Sequence, residues 1–122
     1  MKSKTVLIAC QEGLCAGSLV SFLNGSGYGV ETPETVSEII QTTRNEAVHV
    51  VLLNEEIEGV RACDLVPLFK KINGTIQVIV ISSEVPLGPA KRLRGAGIFY
   101  HAMKPVELEE IKSAVKCACE KK

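Results

Sequence analysis

The chain has 122 residues, of which 46% are hydrophobic and 23% are charged, and its 14 basic and 14 acidic residues cancel. Such a length and composition are typical of a single globular domain, here residues 1–122, with one hydrophobic core. The balanced charge gives no argument for a nucleic-acid or membrane partner, and the lack of Trp with only 4% aromatic residues argues against stacking platforms for bases. The apolar run at residues 6–10 is too short for a signal peptide or a membrane span, so we expect a cytoplasmic protein.

The first third of the chain alternates strand patterns with a helix pattern. Residues 5–10 form a short continuous run rich in β-branched side chains, which predicts a buried strand. Residues 14–24 carry apolar side chains at helical spacing, and the glycines that follow end this first predicted helix. Residues 28–31 then predict a short second strand.

A second helix and the most hydrophobic strand come next. The tripeptide Thr32-Pro33-Glu34 predicts the helix start, because it offers a cap, a proline for the first helical position and an acid for the first turn. Four residues at helical spacing define the buried face of this helix: Val36, Ile39, Ile40 and Thr43. Residues 48–53 predict the third strand.

The middle of the chain continues the alternation. Residues 54–58 predict an acidic loop, and residues 61–72 predict a third helix. The apolar stripe of that helix contains Leu65, Leu68, Phe69 and Ile72. Asn73-Gly74 predicts the end of the helix, and residues 76–81 predict the fourth strand.

The last third of the chain predicts two helices around one strand. Residues 86–97 form a basic helix pattern that Gly88 and Pro89 weaken. Residues 98–102 predict the fifth strand. The last helix is predicted from Pro105 onward, with an apolar face made of Leu108, Ile111, Val115 and Ala118.

Five strands that alternate with five helices predict an α/β fold with a doubly wound parallel sheet. Right-handed crossovers place helices on both faces of the sheet, which gives three layers. The third and fourth strands are the most apolar, so we expect them in the interior of the sheet.

The cysteines and histidines give no metal signature. The chain has five cysteines, and neither a Cys-x-x-Cys pair nor a His-containing ligand spacing occurs, so reduced thiols and no metal site are expected. Cys117 and Cys119 lie two residues apart on a predicted helix and should point to different sides. His49 and His101 each lie in a predicted strand and are expected to be ordinary strand residues.

Several polar side chains follow the predicted strands at their carboxyl ends, where open α/β sheets bind ligands. Cys10 and Gln11 end the first strand, Asn54 ends the third, Ser82 the fourth and Lys104 the fifth. An ammonium group in this position suggests an anion site, which makes the sheet edge the candidate functional site.

The order of these features resembles the receiver domains of two-component response regulators over essentially the whole chain. Ala96-Gly97 precedes the fifth strand, Met103-Lys104-Pro105 follows it, and an amphipathic helix closes the chain. The resemblance implies a flavodoxin-like strand order, 2-1-3-4-5, and a signalling role without catalytic residues, so the protein is not expected to be an enzyme.

The family's site residues carry over by position, with departures. Receiver domains have an acidic pair that binds Mg²⁺, a phosphorylated aspartate, a hydroxyl and a lysine. The acidic pair falls on Cys10 and Gln11, the aspartate on Asn54, the hydroxyl on Ser82 and the lysine on Lys104. An amide is a very poor nucleophile, and a thiol with a neutral amide is a poor set of ligands for Mg²⁺. We therefore expect a degenerate phosphoacceptor pocket, not phosphorylated at the usual site, with weak or no Mg²⁺ binding.

The role of Lys104 in this altered pocket has two interpretations. It hydrogen-bonds Asn54, Ser82 and backbone carbonyls and holds one fixed signalling state, or it is a solvated residue at a strand end. The domain would then act either in signalling or as a purely structural or dimerising unit derived from a receiver.

The resemblance also implies an output surface and protein partners. The aromatic switch position of the family falls on His101, with Tyr100 beside it, on the face of the fourth helix, fifth strand and fifth helix that receivers use for output and dimerisation. The basic cluster Lys91, Arg92 and Arg94 is either a solvated face or a docking patch for an acidic partner. The implied partners are a protein of a histidine kinase pathway, an output protein or a second copy through this face, and neither nucleic acid nor membrane.

The first turn offers a rival interpretation. Residues 10–18 follow a strand and open a helix, and helix N-terminal N–H groups lower a thiol pKa and bind phosphate. This segment is similar to the phosphocysteine loop of sugar phosphotransferase system B subunits, which would make Cys10 a phosphoryl carrier. The alternatives are that Cys10 is a small buried residue at a strand end, or that it forms a redox pair with Cys15.

Overall fold

A central parallel sheet organises the chain. The computed structural model describes residues 5–9, 20–33, 35–44, 48–54, 56–57, 59–82, 98–103 and 107–120. The strands are β1 (Thr5–Ala9), β2 (Gly29–Glu31), β3 (Val48–Asn54), β4 (Glu56–Ile57), β5 (Val60–Arg61), β6 (Gln77–Ser82) and β7 (Tyr100–Met103). The helices are α1, whose described part is 20–25, α2 (Val36–Thr43), α3 (Ala62–Ile72) and α4 (Leu108–Glu120).

The main sheet has five parallel strands in the order β2-β1-β3-β6-β7. Counted along the chain, this is the predicted order 2-1-3-4-5, and the predicted flavodoxin-like α/β fold is confirmed. Val50 to Leu53 in the central strand are fully buried, because helices cover both faces of a doubly wound sheet. The third and fourth predicted strands are interior, as expected.

Two hydrophobic layers lie on opposite faces of the sheet. The first joins the sheet to α1 and α4 and is built from Val6, Ile8, Leu23, Val50, Leu52, Ile79, Ile81, Ala102, Ile111, Ala114, Val115, Ala118 and Cys119. The second joins it to α2 and α3 and is built from Leu7, Ala9, Ile39, Val48, Val51, Leu53, Ala62, Leu65, Val66, Phe69, Ile76, Val78 and Val80. From Val50 to Leu53 in β3, and likewise in β1 and β6, successive residues alternate between the two layers, as the two-residue period of a strand requires. Val48 lies outside this alternation, because the pairing of β3 with β1 shifts register there.

The start of α2 differs from the prediction. Thr32 is not the cap, because Thr35 has the extended backbone of a cap residue and its Oγ1 accepts a hydrogen bond from the Glu38 amide at 3.1 Å. The sequence Thr35-x-x-Glu38 is the capping-box spacing, and it satisfies one of the amides that the first helical turn leaves without a partner. Pro33 therefore precedes the helix instead of occupying its first position.

The predicted acidic loop also contains regular structure. Asn54 belongs to β3, and β4 and β5 form a small antiparallel hairpin in which Glu56 pairs with Arg61 and Ile57 with Val60. Gly59 lies in its turn with φ of 80°, a conformation that glycine adopts at no steric cost. The loop prediction was wrong because a hairpin of two-residue strands has no recognisable alternation.

Helix α3 is rotated relative to the predicted stripe. Ala62, Leu65, Val66 and Phe69 are buried, whereas Leu68 is 39% exposed, so the assignment of Leu68 to the apolar face was wrong. Residues 62, 65, 66 and 69 form one face at helical spacing, and their packing on the sheet selects it over the overlapping stripe that includes Leu68.

Asn73 ends α3 as predicted and joins three elements. Its backbone amide donates to the Phe69 carbonyl at 2.8 Å, and its side-chain Nδ2 donates to the carbonyls of Thr43 (3.3 Å) and Val48 (3.4 Å). Its Oδ1 accepts from the amide (3.3 Å) and hydroxyl (3.0 Å) of Thr75. We call these four side-chain hydrogen bonds the Asn73 clamp.

The last two elements begin later than predicted. β7 starts at Tyr100 instead of residue 98, although the Phe99 amide already donates to the Val78 carbonyl at 2.7 Å. The described part of the last helix starts at Leu108, and Ile111, Val115 and Ala118 of its predicted apolar face are buried. The predicted helix at 86–97 and Pro105 lie outside the described residues.

Candidate functional site

The register of the sheet brings the ends of four strands to one edge. Ala9 lies beside Leu53, and Asn54 lies beside Ile81. Ser82 lies beside Met103 in the next pair of strands. Parallel strands end on the same side of a sheet, so the last residues of β1, β3, β6 and β7 form a single carboxyl edge, the usual place for a ligand in an open α/β sheet.

Asn54 is the best-defined polar residue of this edge. Its side chain is only 8% exposed, and its Oδ1 atom is buried. The residue takes part in further interactions. The alternation of β3 places it on the same face as Val50 and Leu52, which pack toward α1 and α4. A neutral amide costs less free energy to bury here than a carboxylate would, because an isolated carboxylate would lose its hydration.

The other predicted pocket residues are placed only in part. Ser82 is the last residue of β6 and follows Ile81, the neighbour of Asn54 across the ladder. Cys10, Gln11 and Lys104 lie outside the described residues, although in the chain they come directly after the ends of β1 and β7. The basic cluster Lys91, Arg92 and Arg94 and the first turn, residues 10–18, lie outside the described residues as well.

Few side chains that bind metal ions lie in the described part of the edge. Within the described ranges, no group of three or more His, Cys, Asp or Glu side chains comes together. The strand ends offer the enclosed amide of Asn54 and the position of Ser82, whereas Mg²⁺ is bound through carboxylates and water in nearly ideal octahedral geometry.

Tyr100 and His101 lie on opposite faces of β7. Tyr100 is beside Ile79, a member of the layer under α4, and His101 is beside Val80 of the other layer. Tyr100 is 37% exposed and donates from its Oη to a carboxylate oxygen of Glu110 at 2.8 Å. This hydrogen bond, with smaller effects of burial and of the Glu110 charge, raises the pKa of Tyr100 above 10.0.

The sequence pattern did not identify Glu110 as the partner of Tyr100. Glu109 and Glu110 both lie in the first turn of α4, where negative charges are stabilised by the positive end of the helix dipole. Nothing in the sequence distinguishes the two, because the choice depends on how α4 is rotated against β7. Only the packed structure selects Glu110.

The family comparison agrees with this geometry. A model of the response regulator receiver domain matches residues 6–116. The chain belongs to this family. Receiver domains are signalling modules of two-component systems, and the comparisons give no support to a phosphocysteine carrier built on Cys10.

Two curated proteins align with nearly all of this receiver domain. The DNA-binding transcriptional regulator NtrC of Azospirillum brasilense is 25% identical over 97% of the chain, which spans 24% of that protein. The sporulation initiation phosphotransferase F of Bacillus subtilis (strain 168) is 25% identical over 95% of the chain, which spans 93% of that protein. The receiver domain therefore corresponds to a small part of the first relative and to nearly all of the second.

A solved receiver structure shares the fold. The CheY-like receiver domain protein of Methanospirillum hungatei JF-1 superposes with a TM-score of 0.87 at 22% identity, covering 94% of this chain and 92% of that one. In the portion of the chain that the structure describes, no helix has the length and apolarity needed to cross a membrane.

Proposed function

We propose that this receiver domain is a pseudo-receiver, which takes part in two-component signalling through protein contacts and is not phosphorylated at the usual position. The observation that carries the proposal is Asn54 at the end of the central strand, with its amide almost completely buried. On this proposal the site has a structural role and does not accept a phosphoryl group.

The chemistry of the end of β3 supports this proposal. An acyl phosphate forms when a carboxylate oxygen attacks phosphorus, and the neutral amide of Asn54 lacks the negative charge that makes such an oxygen nucleophilic. A phosphoryl donor must also approach in line with the attacking oxygen. The Oδ1 of Asn54 has no accessible surface for that approach.

The neighbouring positions support the same proposal. Catalysis of phosphoryl transfer consists mostly of positioning and charge neutralisation, which Mg²⁺ provides in this family. Cys10 and Gln11 stand where the family's acidic pair would hold the ion. A soft sulfur and an uncharged amide bind this hard ion poorly, so Mg²⁺ should bind in the millimolar range or more weakly. Ser82 and Lys104 keep the hydroxyl and the lysine of the family's pattern in the sequence.

The function that remains is recognition of a protein. We propose a partner from a histidine kinase pathway, an output protein or a second copy of the chain, bound on the surface that includes β7 and α4. Tyr100 is exposed on this surface, and its hydroxyl is held by Glu110. Tyrosine is enriched at protein interfaces because it combines a large apolar ring with a polar tip. On this proposal the domain is not an enzyme.

A phosphorylation assay tests the proposal. The wild-type chain, Asn54→Asp and the triple variant Cys10→Asp/Gln11→Asp/Asn54→Asp are each incubated with acetyl phosphate and Mg²⁺, and intact mass is measured. We expect no phosphoryl adduct on the wild type, little on the single variant and an acid-labile adduct on the triple variant, because both the nucleophile and the metal ligands must be restored.

The triple variant is the positive control: its phosphorylation shows that the folded chain can accept a phosphoryl group and that acetyl phosphate is active as the donor. An acid-labile adduct on an aspartate or glutamate of the wild type would contradict the pseudo-receiver, and an adduct mapped to Cys10 would favour the phosphocysteine interpretation. Calorimetric titration with Mg²⁺ gives an independent measurement. Tight binding by the wild type would contradict the proposed loss of the metal site.

A further inference from the structure

The chain contains the dipeptide Asn-Gly twice, and the two copies lie in different environments. Asn24-Gly25 is at the exposed end of the described part of α1. Asn73-Gly74 follows α3, and Asn73 is partly buried. Asn-Gly is the dipeptide most prone to loss of the side-chain amide, because glycine has no Cβ to hinder attack by its backbone nitrogen.

We propose that Asn73 is a deamidation site that the fold protects, and that its conversion opens the connection between α2, α3 and β3. The backbone nitrogen of Gly74 loses its proton and attacks Cγ of Asn73, a C–N bond forms, and Nδ2 leaves as ammonia. Water then opens the cyclic imide at one of its two C–N bonds, giving aspartate or isoaspartate. The net reaction consumes one water and releases one ammonia for each side chain.

The Asn73 clamp opposes this reaction in the folded protein. Attack on Cγ makes the planar amide tetrahedral and expels Nδ2, which donates to the carbonyls of Thr43 at 3.3 Å and Val48 at 3.4 Å. Oδ1 is held at the same time by the amide and hydroxyl of Thr75. The two hydrogen bonds that Nδ2 donates must be lost before it can leave as ammonia, so the reaction requires local opening of the end of α3.

The reaction product cannot remake the clamp. A carboxylate has no N–H to donate, so it would place negative oxygens against the carbonyls of Thr43 and Val48, which are themselves acceptors. The ends of α2 and β3 would lose their connection to Asn73, and opening would become easier. Deamidation is irreversible because the ammonia is released, and at this site the lost hydrogen bonds favour further opening.

The backbone does not require glycine at either site, which provides matched controls. Gly27 and Gly59 are the described glycines with positive φ, and Gly25 and Gly74 are not among them. A Cβ at Gly25 would meet nothing within 4 Å, and a Cβ at Gly74 would meet only the Lys70 carbonyl at 3.9 Å, an ordinary contact. Gly25→Ala and Gly74→Ala should each slow attack at their own asparagine strongly while the fold is kept.

Peptide mass mapping that separates asparagine, aspartate and isoaspartate tests the proposal. The wild-type chain is held in mildly alkaline buffer, folded or in concentrated urea. In urea the two asparagines should convert at rates within about twofold, because both precede glycine. In the folded chain Asn73 should convert at least about tenfold more slowly than in urea, and more slowly than Asn24. Gly74→Ala should suppress conversion of Asn73 alone.

Equal rates of deamidation at Asn73 with and without urea would contradict the claim that the fold protects this residue. No conversion of Asn73 in urea would contradict the claim that it is a deamidation site. The effect of the product is tested separately with Asn73→Asp and its control Asn24→Asp, both compared with the wild type by urea unfolding. Asn73→Asp should shift the midpoint to clearly lower urea, and Asn24→Asp should leave it nearly unchanged. Equal midpoints for the two variants would overturn the opening of the clamp.

Discussion

The phenolic oxygen of Tyr100 donates a hydrogen bond to a carboxylate oxygen of Glu110 at 2.8 Å and so joins the edge strand β7 to helix α4. The bond favours the protonated phenol, because tyrosinate has no proton to donate and would repel the carboxylate. The folded-state pKa of Tyr100 is therefore above its ordinary value of 10.0. The stability that this bond contributes is complete below that ordinary value and is lost as the pH rises through the higher pKa of the folded state.

Glu110→Gln should lower the pKa of Tyr100 toward its ordinary value, because the variant removes the negative charge at the acceptor. The chain has two tyrosines and no tryptophan. In a Tyr28→Phe background, Tyr100 is therefore the only residue that gives a tyrosinate absorbance signal. Ultraviolet pH titration in this background measures the pKa directly. Glu109→Gln is the matched control, and an equal shift in both variants would contradict the assignment of the hydrogen bond.

Thr35→Ala should destabilise the protein by about 1 kcal/mol, because the Glu38 amide would lose the hydroxyl that accepts its hydrogen bond. Thr32→Ala should change the free energy of unfolding by less than about 0.5 kcal/mol, because Thr32 is an exposed residue before the cap. Urea unfolding of the two variants measures the difference. A larger loss for Thr32→Ala would mean that α2 begins earlier.

Leu65→Ala and Leu68→Ala should differ strongly although the residues are three apart on one helix. Leu65 is 3% exposed, and its truncation should cost about 2–5 kcal/mol in lost burial and cavity formation. Leu68 is 39% exposed, and its truncation should cost less than about 1 kcal/mol. Thermal or urea unfolding measures the loss in stability of each variant. Comparable losses for Leu65→Ala and Leu68→Ala would contradict the observed rotation of α3.

Cys117 should react with a thiol reagent in the folded protein much faster than Cys119. Cys117 is exposed, whereas Cys119 is buried in the layer between the sheet and α4. Brief labelling followed by peptide mapping measures the ratio, and labelling in urea is the control in which the two should become similar. Preferential labelling of Cys119 in the folded chain would place the opposite face of α4 on the sheet.

The strands were predictable because burial on both faces requires continuous apolar runs, and the run at residues 48–53 has no polar interruption apart from His49. The rotation of α3 could not be predicted from the sequence, because two overlapping apolar stripes share Leu65 and Phe69. Contact with the sheet selects between the two stripes. The cap of α2 was assigned to Thr32 because Pro33 follows it, although the capping-box spacing begins at Thr35.

The candidate site was predictable to the extent that parallel strands end together. Asn54 and Ser82 were assigned to strand ends, and the register places both at the carboxyl edge. The burial of the Asn54 amide and the bond between Tyr100 and Glu110 depend on packing between segments far apart in the chain or on helix rotation, which no local pattern encodes.

The shared hydrophobic layer under α4 also constrains the order of events during synthesis. Val6 in β1 and Val115 in α4 belong to the same layer, so a strand made early in this domain packs against a helix made much later in it. Every strand pair in the main sheet is parallel and needs a crossover, which makes early local pairing unavailable. Leu23 of α1 can cover part of this face of β1 early, but the part that α4 covers stays exposed until α4 is made, and a chaperone that binds apolar strands can bind there in that period.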